Sequence, residues 1–573
     1  MTVADDLRAR GWVPRAALAV VAGARGVGLA WVGGSTRLAA DLVEVVTALA
    51  PLEPRWTWWS AHGTAAPLVR SGVHVRTCWD LGAVGRLAFG LRRDDPAAVW
   101  AAARGLPEPA RLSPGGSDLL DLDAPDGAPL RPDGQLSREW LRDLWADDPQ
   151  RWAELALQVQ AAQEARLRAV PDPRARPGAV PLAVLTAWSE SAAALLAVEL
   201  EHDGLPLDRA VVEALLTDLL GPRPRDGADA ARRAAERDAE VLRRFPGPPV
   251  DLRSPAQVKA LLAKVGLDLP DTRSWRLEPH AATSPAVAAL LRWRRAERTA
   301  TTYGWSWLDR TVGPDGRLRG SWRAADGASG RMTASAGLHN LPAELRQAVR
   351  AEPGHLLVRA DLGQVEPRVL AAVSGDTGLA RAAQEDDLYA PVAAALRCDR
   401  PTAKVAVLAA MYGQTSGTAG AALRDLDRAY PTAMAVLRAA EAAGVRGEDL
   451  RTYGGRLLRL SGSRAQAEPL GEHAALPAGA GRFARNAVVQ GAAAELFKAW
   501  AATVRDGLVA LDGRIVLCLH DELLLHVPVE AAGAAAALLT DALRSTASWW
   551  AAGSPVRFVA DVSVAPTWAS AHG

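Results

Sequence analysis

The segment Val516-Leu-Cys-Leu-His-Asp-Glu-Leu-Leu-Leu-His-Val527 places an acidic triplet, His520-Asp521-Glu522, between two apolar runs. Continuous apolar runs rich in Val and Leu are typical of buried strands. Burying two adjacent carboxylates is costly unless each is paired or binds a metal. The segment therefore predicts a tight hairpin that pushes the triplet out of the core, toward something cationic. Taken alone, it also fits a surface turn that happens to be acidic.

A second segment, Leu356–Arg368, has the same layout. A strand pattern leads into Asp361, and Glu366 follows shortly after it. Two strand-borne aspartates far apart in sequence suit a two-metal phosphoryl-transfer site, which holds two divalent cations about 3.5–4 Å apart. Asp361 and Asp521 are therefore candidate metal ligands.

Between these segments, residues 400–413 have the pattern of a helix with Pro401 in its first turn. Steps of four residues drift by only about 40° around a helix, so one side carries a row of four side chains. That row consists of Arg400, Lys404, Leu408 and Tyr412. The cations could hold a triphosphate and the ring could stack on a base. The same pattern also fits an ordinary amphipathic helix with solvated basic residues.

Together the three segments resemble motifs of family A DNA polymerases, the bacterial DNA polymerase I type, and they stand in the family's order. Three further blocks match the family: Ser329-Gly-Arg331-Met-Thr, His339-Asn340-Leu-Pro342 and Arg482-xxx-Asn486-xxx-Gln490-Gly491. The resemblance covers residues 180–573 well and the N-terminal part loosely.

The resemblance implies an α/β and mostly α fold in two domains. Residues 1–175 are expected to form a degenerate RNase H-like 3′–5′ exonuclease domain, and residues 176–573 a right-hand polymerase domain. Within the latter, the thumb is predicted at about 180–310, the palm at about 311–375 and 450–573, and the fingers at about 376–449. A chain of this length is not expected to include a 5′-nuclease domain.

The resemblance also implies roles for individual residues. Asp361 and Asp521 would hold two Mg²⁺ ions, with Mn²⁺ as a possible substitute and the Leu362 carbonyl as a further ligand. Lys404 would be a candidate proton donor to the departing pyrophosphate. The expected nucleotide-binding residues are Gln364, Glu366, Tyr389, Arg400, Lys404, Leu408 and Tyr412. The expected DNA-binding residues are Arg331, Asn340, Arg482, Asn486, Gln490, His520 and Glu522.

Some of these positions depart from the family pattern. The first motif reads Asp-Leu-Gly-Gln instead of Asp-Tyr-Ser-Gln, Tyr389 stands where a histidine is common, and Leu408 replaces an aromatic residue. The metal ligands are unaffected, but fidelity and sugar discrimination become open questions. Glu366 would still exclude a ribose 2′-hydroxyl, which favours deoxynucleotides as substrates.

The N-terminal domain lacks the acids that a two-metal exonuclease requires. No Asp or Glu lies between Asp6 and Asp41 or from Arg55 to Cys78. The family's Tyr-xxx-Asp pattern falls on Trp152 and Ala156. Because Val and Ala cannot replace carboxylates as ligands for hard cations, we expect a polymerase without proofreading, suited to repair or gap filling.

Composition sets the remaining expectations. The 573 residues carry 66 basic and 65 acidic side chains, for a net charge of +1, so primer-template DNA would be held by a local patch. Three cysteines without metal-ligand spacing fit a reducing compartment. The sequence shows no secretion signal and no uncharged apolar run long enough for a membrane helix. We therefore expect a cytoplasmic monomer without a membrane partner.

Two alternatives to a DNA polymerase remain at this point. One is an RNA polymerase or reverse transcriptase built on a related palm, against which Glu366 argues. The other is a catalytically silent protein that binds a primer-template. Metal-dependent turnover would separate an enzyme from the second alternative.

Overall fold

The computed structural model describes residues 3–110, 128–137, 140–141, 148–327, 329–413, 419–461 and 477–572. The chain divides into two compact units. The first unit comprises residues 1–204, 321–334 and 353–565, and the second comprises residues 205–320, 335–352 and 566–573. The predicted domain limits stay a prediction, but these units separate at Gly204 and not near residue 175.

The N-terminal part of the first unit contains a five-stranded sheet in the order β3-β2-β1-β4-β5. Strands β1 to β3 pair antiparallel, whereas β4 runs parallel to both β1 and β5. The strands are β1 (Ala17–Gly23), β2 (Gly26–Trp31), β3 (Gly34–Leu38), β4 (Arg55–Trp58) and β5 (Cys78–Asp80). The apolar runs at residues 16–22 and 27–32 predict a pair of strands, and the structure confirms this pair as β1 and β2.

Six helices are described around this sheet: α1 (Val3–Ala9), α2 (Leu42–Leu49), α3 (Ala61–Arg70), α4 (Leu81–Phe89), α5 (Pro96–Arg104) and α6 (Pro149–Arg168). The sequence pattern from Thr36 to Leu49 predicts a helix. This prediction is wrong at its start, because residues up to Leu38 pair with β2. The helix begins only after Asp41, whose side chain and that of Glu44 form a capping box.

The core of the N-terminal part is rich in tryptophan. Trp59 and Trp140 both pack on Trp152, with ring centroids 5.3 and 5.7 Å apart, respectively. We call these three side chains the tryptophan cluster. Ala19 and Val21 of β1 and Ala156 of α6 belong to the same buried core. The tryptophan side chains therefore pack in the same apolar core as the side chains of β1.

A second sheet in the first unit has the order β13-β14-β10-β15, with all neighbours antiparallel. Its strands are β10 (His355–Leu362), β13 (Arg514–Cys518), β14 (Glu522–Pro528) and β15 (Ala560–Ala565). The first unit also contains two separate two-stranded hairpins. One pairs β8 (Trp322–Asp326) with β9 (Arg331–Ala334), and the other pairs β11 (Leu450–Arg451) with β12 (Leu457–Leu458). The predicted turn at Tyr453–Arg456 is confirmed between β11 and β12.

The remaining described helices of the first unit are α7 (Leu182–Asp203), α15 (Val365–Ser374), α16 (Thr377–Ala382), α17 (Tyr389–Leu396), α18 (Arg400–Tyr412), α19 (Ala419–Ala429), α20 (Pro431–Arg446), α21 (Pro477–Leu508) and α22 (Ala532–Trp550). Among the described residues, α7 alone is long and apolar enough to cross a membrane. However, 78% of its apolar window is buried inside the fold, which is typical of a core helix. The stretch at residues 108–136 is rich in Pro, Gly and Asp, which predicts a loop or linker. Most of it, residues 111–127, lies outside the described residues.

The second unit is mainly helical. Its helices are α8 (Arg209–Leu220), α9 (Gly227–Leu242), α10 (Pro255–Ala263), α11 (Ser274–Ala281), α12 (Pro285–Thr302), α13 (Trp305–Thr311) and α14 (Ala343–Arg346), and the short strands β6 (Leu205–Pro206) and β7 (Arg317–Leu318) pair antiparallel. Its core joins α10, α11 and α12 around Val258, Leu277 and Trp293. The sequence Ser254-Pro-Ala-Gln257 predicts a helix start with Ser254 as its cap. The cap is confirmed, because the Ser254 hydroxyl accepts from the Gln257 amide.

Candidate active site

The two predicted aspartates lie at the same edge of the second sheet. Asp361 ends β10, and Asp521 lies in the turn before β14. The Leu362 amide donates to the Asp521 carbonyl over 2.8 Å, which brings the two backbones into direct contact. The Leu519 amide donates to the Glu522 carbonyl over 2.8 Å and closes the turn. The predicted hairpin is therefore confirmed.

Strand pairing adds two more carboxylates to this edge. Asp361 lies opposite Glu522 on one neighbouring strand and opposite Asp561 on the other. We call Asp361, Asp521, Glu522 and Asp561 the acid cluster. Arg359 lies two residues before Asp361, on the same face of β10. One of its nitrogens is 2.6 Å from Asp361 Oδ2 and 2.9 Å from Glu522 Oε2.

The expectation that the whole triplet is pushed out of the core is wrong for Glu522. This residue is 3% exposed, because its carboxylate turns inward to pair with Arg359. His520 and Asp521 are exposed at the turn. The predicted contact of Glu522 with DNA therefore finds no support in this geometry, whereas Asp521 and His520 lie at the protein surface.

Electrostatics at the acid cluster favour a bound cation. Burial and the neighbouring Asp521 carboxylate raise the pKa of Asp361 to about 6, against the opposing effect of Arg359. Surrounding protein atoms also raise the pKa of Asp521 above its ordinary value. Carboxylate oxygens are the ligands that Mg²⁺ and Mn²⁺ prefer, so the cluster suits a divalent cation.

Four predicted residues meet beside the acid cluster. Arg331 Nη2 donates to Glu366 Oε1, and the Tyr412 hydroxyl donates to Glu366 Oε2 over 3.3 Å. With its amide oriented to satisfy both ends, Gln490 accepts from Arg331 Nη1 over 2.8 Å and donates to Ser329 Oγ over 2.9 Å. We call Arg331, Glu366, Tyr412 and Gln490 the Glu366 group. Burial raises the pKa of Glu366, and Arg331 opposes that shift.

The predicted helix is confirmed as α18. Asp399 caps its first turn, Pro401 occupies that turn, and Gly413 ends it in a left-handed conformation. Lys404 is exposed and forms no ion pair with any residue in the described part of the chain, and Leu408 is half-buried between Lys404 and Tyr412. The row of four side chains thus leads from two cations to the Glu366 group.

Arg400 is already engaged at the start of this row. Its guanidinium is 2.6 and 3.1 Å from the two Asp387 oxygens and lies over the Tyr389 ring, 5.7 Å from the centroid. Tyr389 itself is buried, and burial raises its pKa to about 12. Asp387 therefore already occupies part of the Arg400 guanidinium.

Comparison with known proteins decides the family. The sequence model of DNA polymerase family A matches residues 227–570, more than half of the chain. The chain belongs to DNA polymerase family A. The resemblance predicted from the motifs is thereby confirmed.

Family A relatives share moderate identity with the chain. DNA polymerase I of Chloroflexus aurantiacus is 30% identical over 360 residues, covering 55% of this chain and 38% of that protein. The thermostable DNA polymerase I of Thermus aquaticus is 28% identical over 383 residues, covering 60% of this chain and 44% of that protein. The chain thus spans less than half the length of these curated relatives.

A solved structure shares the family A fold over the whole chain. The POL domain of Pol1 from M. smegmatis, in complex with DNA primer-template and dNTP, superimposes with a TM-score of 0.66 at 20% identity. The superposition covers 100% of this chain and 98% of that chain. The polymerase part of the predicted fold class is confirmed, while the exonuclease-like character of the N-terminal part stays a prediction.

Within this family A site, Gln364 and Asn340 do not join the groups described above. The Gln364 amide oxygen accepts from Arg368 Nη2 over 3.1 Å and from the Leu388 amide over 3.2 Å. Gln364 thus connects α15 to the segment before α17. Asn340 belongs to the second unit, where its carbonyl accepts from the Tyr303 hydroxyl over 2.7 Å.

The polar row predicted on α21 is confirmed as part of one helix. Arg482 is exposed, and Asn486 and Gln490 are half-buried. The Arg482 stem packs near Gly413 at the end of α18. These positions are consistent with a nucleic-acid contact, whose existence stays a prediction.

Three buried arginines were missed by the sequence analysis. Arg359 pairs with the acid cluster, Arg485 donates to the Ala410 carbonyl and pairs with Glu441, and Arg368 donates to several backbone carbonyls, including those of Gly363 and Asp386. The alternation of β10 could have placed Arg359 beside Asp361. The other two depend on contacts between distant segments.

Proposed function

We propose that this chain is a template-directed DNA polymerase that adds deoxynucleotides to a primer 3′-hydroxyl. The observation that carries the proposal is that Asp361 and Asp521, 160 residues apart in sequence, lie at one sheet edge, where the Leu362 amide donates to the Asp521 carbonyl. Membership of family A supports the same reaction. Primer-template DNA and deoxynucleoside triphosphates are the proposed partners of a monomer.

The acid cluster fits the divalent ions that family A polymerases generally use. Asp361 and Asp521 would hold two ions, Mg²⁺ or Mn²⁺, with the Leu362 carbonyl as a further ligand. Such ions, when bound, lower the pKa of the attacking hydroxyl and neutralise charge on the transferred phosphoryl group. Arg359 and Glu522 would act beneath them by holding Asp361 in place.

Charge along α18 supports a triphosphate site. Lys404 and Arg400 lie one turn apart, and both are exposed. Lys404 would bind the phosphates and donate a proton to the leaving pyrophosphate. Tyr412 lies about two turns further along the same side of α18, where its ring could abut the templating pair. Its hydroxyl holds Glu366, whose bulk would exclude a ribose 2′-hydroxyl.

Arg331 and Gln490 supply donors of the kind that read base pairs in the minor groove. Every Watson–Crick pair offers acceptors there in similar positions, so donors at a fixed place can test pair shape without reading sequence. The hydrogen bonds among Arg331, Gln490 and Ser329 hold these donors in place.

The packing of the N-terminal part supports a polymerase without proofreading. Ala19, Val21, Trp152 and Ala156 are buried among carbon atoms. None of these side chains can bind a hard cation. A polymerase of this kind suits short syntheses such as repair or gap filling, since uncorrected errors accumulate with length.

The test is primer extension on a gapped duplex with Mg²⁺ and deoxynucleotides, beside Asp521→Asn. Asp541→Asn, a matched change at an exposed position of α22, is the control. We expect extension by the parent and the control and a loss of at least about 100-fold in Asp521→Asn, the size typical of removing a group that stabilises the transition state.

The same assay distinguishes the alternatives. A primer with a mismatched 3′ end should not be shortened; shortening would show that the N-terminal part retains nuclease activity. Binding of the duplex without any extension would establish a silent primer-template-binding protein. Ribonucleotides incorporated as fast as deoxynucleotides would contradict the role of Glu366.

A further inference from the structure

Four charged side chains are buried together behind the Glu366 group. Glu190 comes from α7, Arg456 from the turn between β11 and β12, and Glu495 and Lys498 from α21. Each exposes at most 3% of its surface. We call them the buried charge group. Apolar residues of similar volume would often be as stable or more stable, so a buried group of this kind calls for another explanation.

Glu190 is the centre of the buried charge group. Its Oε2 is 2.6 Å from Arg456 Nη2 and 2.8 Å from Lys498 Nζ. Burial opposes its charge, but the two cations outweigh burial and keep its pKa below the ordinary value. Glu190 therefore remains ionised and forms a buried ion pair with the Arg456 guanidinium.

Hydrogen bonds to Glu495 also hold the turn that carries Arg456. Glu495 accepts from the Thr452 hydroxyl through one oxygen and from the Gly454 amide over 2.8 Å through the other. The Thr452 hydroxyl in turn accepts from the Arg456 amide over 2.9 Å. The backbone at Arg456 is thus tied to α21.

Arg456 lies directly against the loop that carries Arg331. Gly330 has φ +72°, and a Cβ atom built on it would overlap the Arg456 guanidinium. On the neighbouring side, a Cβ on Gly491 would be 2.6 Å from Thr452 Cγ2 and 3.4 Å from the Ser329 carbonyl. Glycines at these positions allow the loop at 329–331 to sit on the turn and on α21 without a gap.

We propose that Arg456, oriented by Glu190, is a positioning residue that fixes the backbone at Gly330 and so keeps Arg331 within reach of Glu366 and Gln490. The proposal rests on the proposed polymerase function. Arg456 is buried, so it acts through Arg331. Its contribution is to the distinction between matched and mismatched primer ends, because donors that move freely can follow a distorted pair as easily as a correct one.

The test is a double-mutant cycle on Arg331→Ala and Arg456→Met. For each variant, kcat and KM are measured for extension of a matched and a mismatched primer end, well below the Tm of the least stable variant. We expect Arg331→Ala and Arg456→Met each to lower the ratio of matched to mismatched kcat/KM about tenfold. The double variant should lose no more than Arg331→Ala alone, since residues acting as a unit are not additive.

Two further variants separate positioning from simple stabilisation. Glu190→Gln keeps the shape but removes the charge that orients Arg456, and it should lower the same ratio by a smaller factor. Arg505→Met is the matched control, because Arg505 is also a buried arginine of the first unit that pairs with a glutamate of α7, Glu199. It should lower the Tm and leave the ratio unchanged.

The outcomes are distinct. Independent, multiplicative losses in the double variant would overturn the proposal, as would an equal loss of the ratio in Arg505→Met. If Arg456→Met does not fold, the cycle with Glu190→Gln decides by the same criterion. Absence of extension by the parent protein would refute the proposed function instead, whereas extension with an additive cycle refutes the role of Arg456 alone.

Discussion

Arg359 brings a positive charge to the acid cluster from inside the protein. Its guanidinium bridges Asp361 and Glu522 and lies 3.9 Å from an Asp561 oxygen. It therefore offsets part of the repulsion among the carboxylates in the absence of metal. The same charge repels a dication that approaches Asp361.

Replacing this charge should strengthen cation binding. We expect Arg359→Met to bind Mn²⁺ about tenfold more tightly, as followed by electron paramagnetic resonance or calorimetry. It should also have a lower Tm without metal, because the buried Glu522 carboxylate loses its ion pair with Arg359. Addition of Mg²⁺ should recover much of that Tm. Arg323→Met, a change at an exposed arginine of β8, serves as the control. Weaker Mn²⁺ binding would show that Arg359 chiefly orders Asp361 for the ion.

At the residue level, the sequence predicted that Asp361 and Asp521, the candidate metal ligands, lie together, but it did not predict their surroundings. Asp361 and Asp521 each stand at the end of an apolar strand pattern, so their place at a sheet edge was predictable. Strand register decides that Glu522 faces inward opposite Asp361. That register is set by pairing across the sheet, which a pattern in one segment does not contain.

At the level of elements, helix α21 contributes side chains to both the Glu366 group and the buried charge group. Gln490 belongs to the Glu366 group, and Glu495 and Lys498 belong to the buried charge group. Burial raises the pKa of Glu495 to about 7 and lowers that of Lys498 to about 8. Both groups thus change protonation near neutral pH.

Glu495 gives the stability a pH dependence of known sign. Between its ordinary pKa of 4.5 and about 7, the folded chain binds a proton that the unfolded chain does not. Its contribution to the free energy of unfolding therefore falls as pH rises through this window. Glu495→Gln removes that contribution, so its Tm should fall less, by a few degrees, between about pH 5 and about pH 7 than that of the parent.

Calorimetry at several pH values measures this difference. Glu236→Gln, at an exposed carboxylate of α9, should follow the parent curve. Identical pH dependence in Glu495→Gln and the parent would mean that Glu495 titrates in the folded chain as it does in the unfolded one.

Local signals explain which elements were predictable. The cap at Asp399, Pro401 in the first turn and Gly413 at the end delimit α18 within the segment itself. Strand β3 carries no comparable signal, and its pairing with β2 decides its conformation. Helix α7 was expected in the thumb, whereas its burial against the N-terminal core and α21 places it in the first unit.

At the scale of the whole chain, the N-terminal part and the second sheet belong to one compact unit. Helix α7 contributes Ala183, Val184 and Ala187 to the core that contains the tryptophan cluster, and it contributes Glu190 to the buried charge group. Contacts between residues hundreds of positions apart create this unit, so a composition break near residue 175 could not reveal it.

This shared core predicts cooperative unfolding. Trp152→Ala should cost about 3–5 kcal/mol, as expected for removing a buried tryptophan, and should lower the Tm of the first unit as a single calorimetric transition. Primer extension should be lost at the same temperature, although Trp152 lies outside the site. Trp275→Ala, at an exposed position of the second unit, is the control. A separate early transition that leaves extension intact would show that the N-terminal part unfolds alone.

The tryptophan cluster also determines how costly it is to introduce a charged side chain in the N-terminal part. A carboxylate introduced at Ala156 or Val21 would lie in the hydrophobic core. Burying an unpaired carboxylate there would lower the free energy of unfolding. A cation could offset that cost only after several acids had been introduced and the rings beside them removed. Each single step toward a metal centre in the N-terminal part would therefore pass through a less stable protein.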